Sequence, residues 1–184
     1  MRKATSDKIY TVEEYIQHEL SSEVRAEFFN GQLFEMSAEK DLNNELAGFF
    51  YSYFLTVLKG LGFFVYINDV KVKAFGEEKY YYPDVFITKE PKTIDNRYIK
   101  SEPVLIIEVV SPSSQVNDYV DKYIAYTKIR SLQYYLIVEP DTTLINCYWR
   151  DENDTWQTEK FTSASDIVTL SKLNISFTLQ QVYE

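Results

Sequence analysis

Residues 105–126 read L-I-I-E-V-V-S-P-S-S-Q-V-N-D-Y-V-D-K-Y-I-A-Y, and the fold turns on how this stretch is read. Leu105 to Val110 is a continuous apolar run interrupted only by Glu108. Bounded by turn residues, such a run is expected to be a strand buried on both faces. The turn Ser111-Pro112-Ser113-Ser114 then leads into an expected helix from about Asn117 to Lys128, where Asp118, Lys122 and Tyr126 recur every four residues and share one side. An ionised carboxylate in a buried strand is costly unless something meets it. Glu108 therefore calls for a partner, and either a neighbouring Lys or Arg or a bound cation would serve.

Working outward, Tyr80 to Thr88 is expected to be one strand with Pro83-Asp84 inside it. Proline within a strand implies an edge, an end or a bulge, and bulges re-aim side chains beside sites. Phe63 to Phe75 alternates through Val65, Ile67, Val70 and Val72 as another strand, bulged near Asn68-Asp69. Because strand residues alternate faces, Val110 shares a face with Glu108 and Val109 points away. If the Asp84 strand lies beside the Glu108 strand, the two carboxylates can meet. Two close anions repel unless a divalent ion lies between them. An ion held there, with Lys122 leaning over it, would suit metal-assisted hydrolysis of a phosphodiester. On spacing alone, Asp118 and Lys122 also fit a solvated helix salt bridge, Asp84 a turn residue and Glu27 an ordinary strand-flanking carboxylate.

The remaining chain supplies the frame. Thr11 with Glu14 has the form of a capping box opening a helix. Residues 25–37 read as two strands joined at Asn30-Gly31, a strong hairpin signal. A helix is expected from Asp41 to about Lys59, with an apolar stripe of Leu42, Leu46, Phe49, Phe50, Tyr53, Phe54 and Leu58, ended by Gly60 and Gly62. Gly76 to Lys79 is expected to be a turn and residues 89–103 a polar loop. Strands are expected at Tyr134–Val138, Leu144–Trp149 and Trp156–Thr162, with short apolar pieces at Ile167–Leu170 and Ile175–Leu179. This order predicts an α/β fold, a mixed sheet with a helix on each face.

At 184 residues the chain is expected to form one domain, 1–184. A net charge of −9 argues against binding nucleic acid through a broad basic face, although it leaves room for a metal-bridged contact in one cleft. The single Cys147 permits no internal disulfide and reads as a small core residue, which fits a reducing cytoplasm. The only histidine, His18, reads as a structural surface residue. Any metal would then be held by oxygen, which points to Mg²⁺, Mn²⁺ or Ca²⁺. No apolar run approaches a membrane span, and the polar N-terminus lacks a signal-peptide apolar region. Sixteen Tyr and 12 Phe favour strands and would suit a homodimer interface.

The succession P-D-V-F-I (83–87), L-I-I-E-V-V-S-P-S-S (105–114), D-x-x-x-K-x-x-x-Y (118–126) and Q-Y-Y-L-I-V-E-P (133–140), with R-A-E-F-F-N-G-Q-L-F-E-M-S (25–37) before it, resembles the Uma-two family of proposed restriction endonucleases. That family is a branch of the PD-(D/E)XK nuclease-like superfamily, and the likeness spans about residues 10–180. The resemblance implies a restriction-endonuclease-like core, a four-stranded mixed sheet flanked by helices. It implies Asp84, Glu108 and the Val109 carbonyl as ligands of Mg²⁺ or Mn²⁺, and a nucleic-acid partner, DNA ahead of RNA. The superfamily's usual lysine position, two residues after the glutamate, is Val110 here, so the resemblance points to Lys122 on the next helix instead. Glu27, Asp118 and Tyr126 stand in second rank. Family members often carry a histidine at the start of the long helix; Asn43 aligns there. The implied activity is a metal-dependent endonuclease, and the alternative is a nuclease-like scaffold without catalysis that acts in binding or assembly.

Overall fold

The computed structural model describes residues 4–6, 8–36, 41–74, 79–93, 97–110 and 118–184, with Asp118 described by its backbone alone. The Ser111–Ser114 turn, the Gly76–Glu78 turn and Asn117 lie outside the described residues. Helix α1, Val12–Ser21, opens with the capping box, Thr11 and Glu14 each satisfying the other's backbone N–H. Strands β1 (Ala26–Phe29) and β2 (Gln32–Glu35) form the hairpin, turning at Asn30 and Gly31 with φ of 48° and 82°. Two successive positive φ values are the signature of a type I′ turn, and Asn-Gly supplies them at little cost.

Helix α2, Asp41–Val57, leads to β3 (Phe64–Ile67), β4 (Lys71–Lys73), β5 (Lys79–Tyr81), β6 (Val85–Thr88), the short β7 (Ile99–Lys100) and β8 (Pro103–Val109). A π-helical turn, Asp118–Lys122, runs into α3, Tyr123–Tyr126. Then come β9 (Tyr134–Glu139), β10 (Leu144–Arg150), β11 (Trp156–Phe161), β12 (Ile167–Leu170), β13 (Ile175–Thr178) and α4 (Leu179–Tyr183).

The strands make a six-stranded sheet in the order β11-β10-β9-β8-β6-β3, a five-stranded sheet in the order β2-β1-β5-β4-β7, and the β12–β13 pair. The first is mixed: β8 and β9 run parallel and its other neighbours antiparallel. Six strands stand where four were expected.

Two strand expectations are corrected. Phe63–Phe75 is not one bulged strand: β3 lies in the six-stranded sheet and β4 in the five-stranded one, with Asn68 at φ 53° between them. Tyr80–Thr88 divides in the same way, β5 in one sheet and β6 in the other, crossing at Pro83-Asp84. These two crossings meet, since Asn68 donates its N–H to the Asp84 carbonyl at 3.1 Å. Proline, which has no N–H to give a ladder, falls where neither sheet needs one.

The central strands bury both faces. Val85, Ile87, Leu105, Ile107 and Val109 pack with Leu46, Phe50 and Phe54 of α2. Phe86, Ile106 and Val110 pack with Ala125 and Tyr126 of α3. A helix therefore covers each face, and the side-chain alternation along β8 is the expected one. Cys147 is a buried core residue of β10 whose thiol burial pushes up to about 12.

The helix between β8 and β9 is shorter than expected, ending at Tyr126. Its C-terminal end is tied down by Arg150, which donates to the Thr127, Ile129 and Leu132 carbonyls at 2.7, 3.1 and 3.0 Å. Carbonyls left over at a helix end need such donors. Trp156 adds a bond from Nε1 to the Thr127 carbonyl at 3.0 Å. These contacts fix the helix that carries Lys122 and Tyr126. Among the described residues, no helix is long and apolar enough to cross a membrane.

Candidate active site

β6 and β8 pair antiparallel with Val85 opposite Ile107, and continuing that register sets Asp84 opposite Glu108. The Asp84 carboxylate turns to the β8 backbone, where Oδ2 accepts the Val109 N–H at 2.6 Å. Such a short bond to an ionised acceptor is of the stronger kind.

Glu108 points to the α3 face. Its Oε2 lies 3.1 Å from Lys122 Nζ, and its Oε1 accepts the Tyr126 hydroxyl at 3.0 Å. Lys122 and Tyr126, one turn apart, thus hold both oxygens of one carboxylate. Tyr126 is fully buried; burial first, and then the charges of Glu108 and Glu27, raise its hydroxyl well above the ordinary tyrosine range. It stays a protonated donor.

Glu27 arrives from the other sheet. Its Oε1 sits 3.3 Å from Lys122 Nζ and accepts the Tyr82 N–H at 3.3 Å. Placed in second rank by sequence, it stands in the same cluster as the first-rank residues. Tyr82 immediately precedes the crossing at Pro83-Asp84, so the junction of the two sheets gathers these groups. All four charged residues are nearly enclosed, with exposures of 2% for Glu27, 6% for Asp84, 3% for Glu108 and 5% for Lys122. Asp118 lies on the π-helical turn, and its side chain is outside the described residues.

Asn43, on the first turn of α2, also reaches this point: its Nδ2 donates to the Val109 carbonyl at 3.3 Å. The sequence reading left it without a role. A signal was there, because Asn43, Leu46, Ala47, Phe50 and Phe54 share one buried helical face, and Asn43 is its one polar member. Leu42, counted in the apolar stripe, is instead exposed. Tyr82 had no such signal, since it acts through its backbone.

The donors available to a cation are all oxygens: two carboxylates, the Val109 carbonyl and the Asn43 amide. Among the described residues no three His, Cys, Asp or Glu side chains form a group able to hold a metal, so a cation here would draw on the backbone and amide oxygens as well. That set fits a hard divalent ion and does not fit a thiophilic one. His18, on α1, lies outside the site; its Nδ1 is 3.9 Å from Glu19.

The fold is thus a mixed sheet flanked by helices, with an acidic pair and a lysine where two strands meet. A solved structure described as "a putative nuclease belonging to DUF820 from Anabaena variabilis" superposes with a TM-score of 0.78, covering 94% of this chain and 97% of that one at 15% identity. The profile of the Uma2 family, described as "Putative restriction endonuclease", matches residues 12–180. The chain belongs to the Uma2 family. Two Synechocystis relatives, described as the uncharacterized proteins slr1290 and sll1609, are 27% and 30% identical over 171 and 159 residues. These matches cover 93% and 85% of this chain, and 90% and 89% of the relatives.

Proposed function

We propose that the protein is a Mg²⁺- or Mn²⁺-dependent endonuclease that hydrolyses phosphodiester bonds of nucleic acid, DNA ahead of RNA. The observation that carries this reading is the convergence of Asp84, Glu108 and Lys122 from two paired strands and the following helix. Asp84, Glu108 and the Val109 carbonyl would hold the cation. Bound there, a divalent ion supplies a Lewis acid for the phosphoryl oxygen and acidifies a water.

The chain's own groups do the rest. Asp84 is aimed by the Val109 N–H, and Glu108 by Tyr126, so neither carboxylate has to search for its position. Such preorganisation is what electrostatic catalysis requires. Lys122, steadied by Glu27 and Glu108, presents its ammonium to charge that builds on the phosphoryl oxygens. The enclosed setting strengthens each of these interactions by excluding water.

The family's description and the nuclease-like neighbour support the nucleic-acid substrate. One observation favours a second reading: the near-complete burial of the four charged groups suits a scaffold without catalysis that binds or assembles. Incubation with single- and double-stranded DNA and RNA in Mg²⁺ or Mn²⁺ separates the two. Cleavage that is lost in Glu108→Gln and Lys122→Ala is the expected result; no cleavage of any substrate would favour the scaffold.

A further inference from the structure

One buried polar atom beside the acidic pair remains unused. Asn43 is 6% exposed, and its Oδ1 is buried with no hydrogen-bond partner among the described residues, although its Nδ2 donates to the Val109 carbonyl. The carbonyl fixes the orientation of the amide, because reversing it would set two acceptors against each other. Oδ1 is therefore the end turned away from the Val109 oxygen.

A buried amide oxygen with no donor carries a desolvation penalty, and the rest of this helical face is apolar: Leu46, Ala47, Phe50 and Phe54. Packing alone would be served better by leucine at position 43. The position is also not arbitrary. The N–H and C=O of one strand residue point toward the same neighbouring strand. Val109 gives its N–H to Asp84 and its C=O to Asn43, so both side chains are gathered on one edge of β8, beyond the last β6 pair.

We propose that Asn43 Oδ1 is an oxygen donor to the divalent cation, beside Asp84, Glu108 and the Val109 carbonyl. This rests on the cation site proposed above and extends it to a residue of α2. Amide oxygens are ordinary ligands of hard cations, and a neutral one completes the oxygen set without adding another negative charge to an enclosed site.

The test is calorimetric titration of Mn²⁺ into the full chain, with thermal unfolding with and without Mn²⁺ as a second readout. Asn43→Leu is expected to lower Mn²⁺ affinity about tenfold or more and to shrink the Mn²⁺-induced rise in Tm. Asn43→Asp is expected to bind Mn²⁺ more tightly than the wild type and to gain more Tm from it. A purely structural Asn43 would weaken in both variants or change in neither, and either result overturns the proposal. Should Asn43→Leu fail to fold, the near-isosteric Asn43→Asp decides alone: tighter binding supports the assignment, and unchanged or weaker binding overturns it. A wild-type chain that binds no Mn²⁺ overturns the cation site itself, whereas wild-type affinity retained in both variants overturns only the role of Asn43.

Discussion

Lys71 and Lys122 are both buried, both meet a glutamate that also holds a tyrosine hydroxyl, and the two clusters differ in their charge balance. Lys71 Nζ lies 3.3 Å from Glu19 Oε2, over the rings of Tyr15 and Tyr82 at 5.6 and 5.0 Å. Glu19 also accepts the Tyr82 hydroxyl and the Ala26 N–H. There, one ammonium answers one carboxylate, and the group ties α1 to both β1 and β4. Burial lowers the Lys71 pKa, with Glu19 opposing that shift. Lys122 is divided between Glu27 and Glu108, with Asp84 on the adjoining strand. Of these four groups three are carboxylates. Burial of charge is common to both clusters and so says nothing about function; among the described residues, the gathering of three carboxylates about one lysine is what invites a cation.

Removing a carboxylate from the second cluster should separate the two regions most sharply. Glu108→Gln and Asp84→Asn are each expected to weaken Mn²⁺ binding about a hundredfold or more, above the usual cost of losing an outer-sphere partner. Glu19→Gln should leave the affinity unchanged. Equal losses in all three, measured by calorimetry, would erase the distinction.

Next in size are the lysines. Removing one partner of a buried ion pair costs about 3–5 kcal/mol, so Lys71→Met and Lys122→Met should both lower stability by that order in denaturant unfolding without metal. With Mn²⁺ added, Lys122→Met is expected to recover part of the loss, since the cation replaces the missing positive charge. Lys71→Met should recover nothing. Recovery in both would place cation binding at the wrong cluster.

The tyrosines give a smaller effect. A hydrogen bond to a charged group contributes about 1.5–3 kcal/mol, so Tyr126→Phe and Tyr82→Phe should cost similar stability. Only Tyr126→Phe, whose hydroxyl positions Glu108, is expected to change Mn²⁺ affinity as well.

Alkaline pH should not distinguish the regions at all. Tyr126 and Tyr82 are both raised above the ordinary tyrosine range, chiefly by burial, and Tyr183 to about 12. A tyrosine whose folded pKa is raised keeps its proton after the unfolded chain has lost it. The folded state then binds more protons, and stability falls as pH climbs above about 10. Denaturant unfolding between pH 9 and 11 should show that decline in the wild type, and a weaker one in Tyr126→Phe and in Tyr82→Phe.

Much of this was legible in the chain itself. Asn30-Gly31 announced the hairpin, Thr11 and Glu14 the first helix, and the apolar run around Glu108 the strand at the centre of the sheet. Those signals are local, and local chemistry decides them. The crossings at Asn68 and at Pro83-Asp84 were not legible, because apolar residues resume on the far side of each, as they would beyond a bulge in a single strand. Period two reports which face a residue takes, not which sheet it joins. The meeting of Glu27 with Lys122 depends on those crossings. The resemblance placed Glu27 near the site, but its spacing did not. The Lys71 cluster went unseen because Glu19, Lys71 and Tyr82 are brought together only by tertiary packing.

Crystals soaked in Mn²⁺ and measured at the manganese absorption edge address the central claim directly. The expected result is one strong anomalous peak within bonding distance of Asp84, Glu108 and the Val109 carbonyl, with Lys122 still on Glu108. Manganese bound only elsewhere, with Lys122 and Tyr126 alone satisfying Glu108, would contradict the metal-dependent reading and leave the cluster a structural one like that of Lys71.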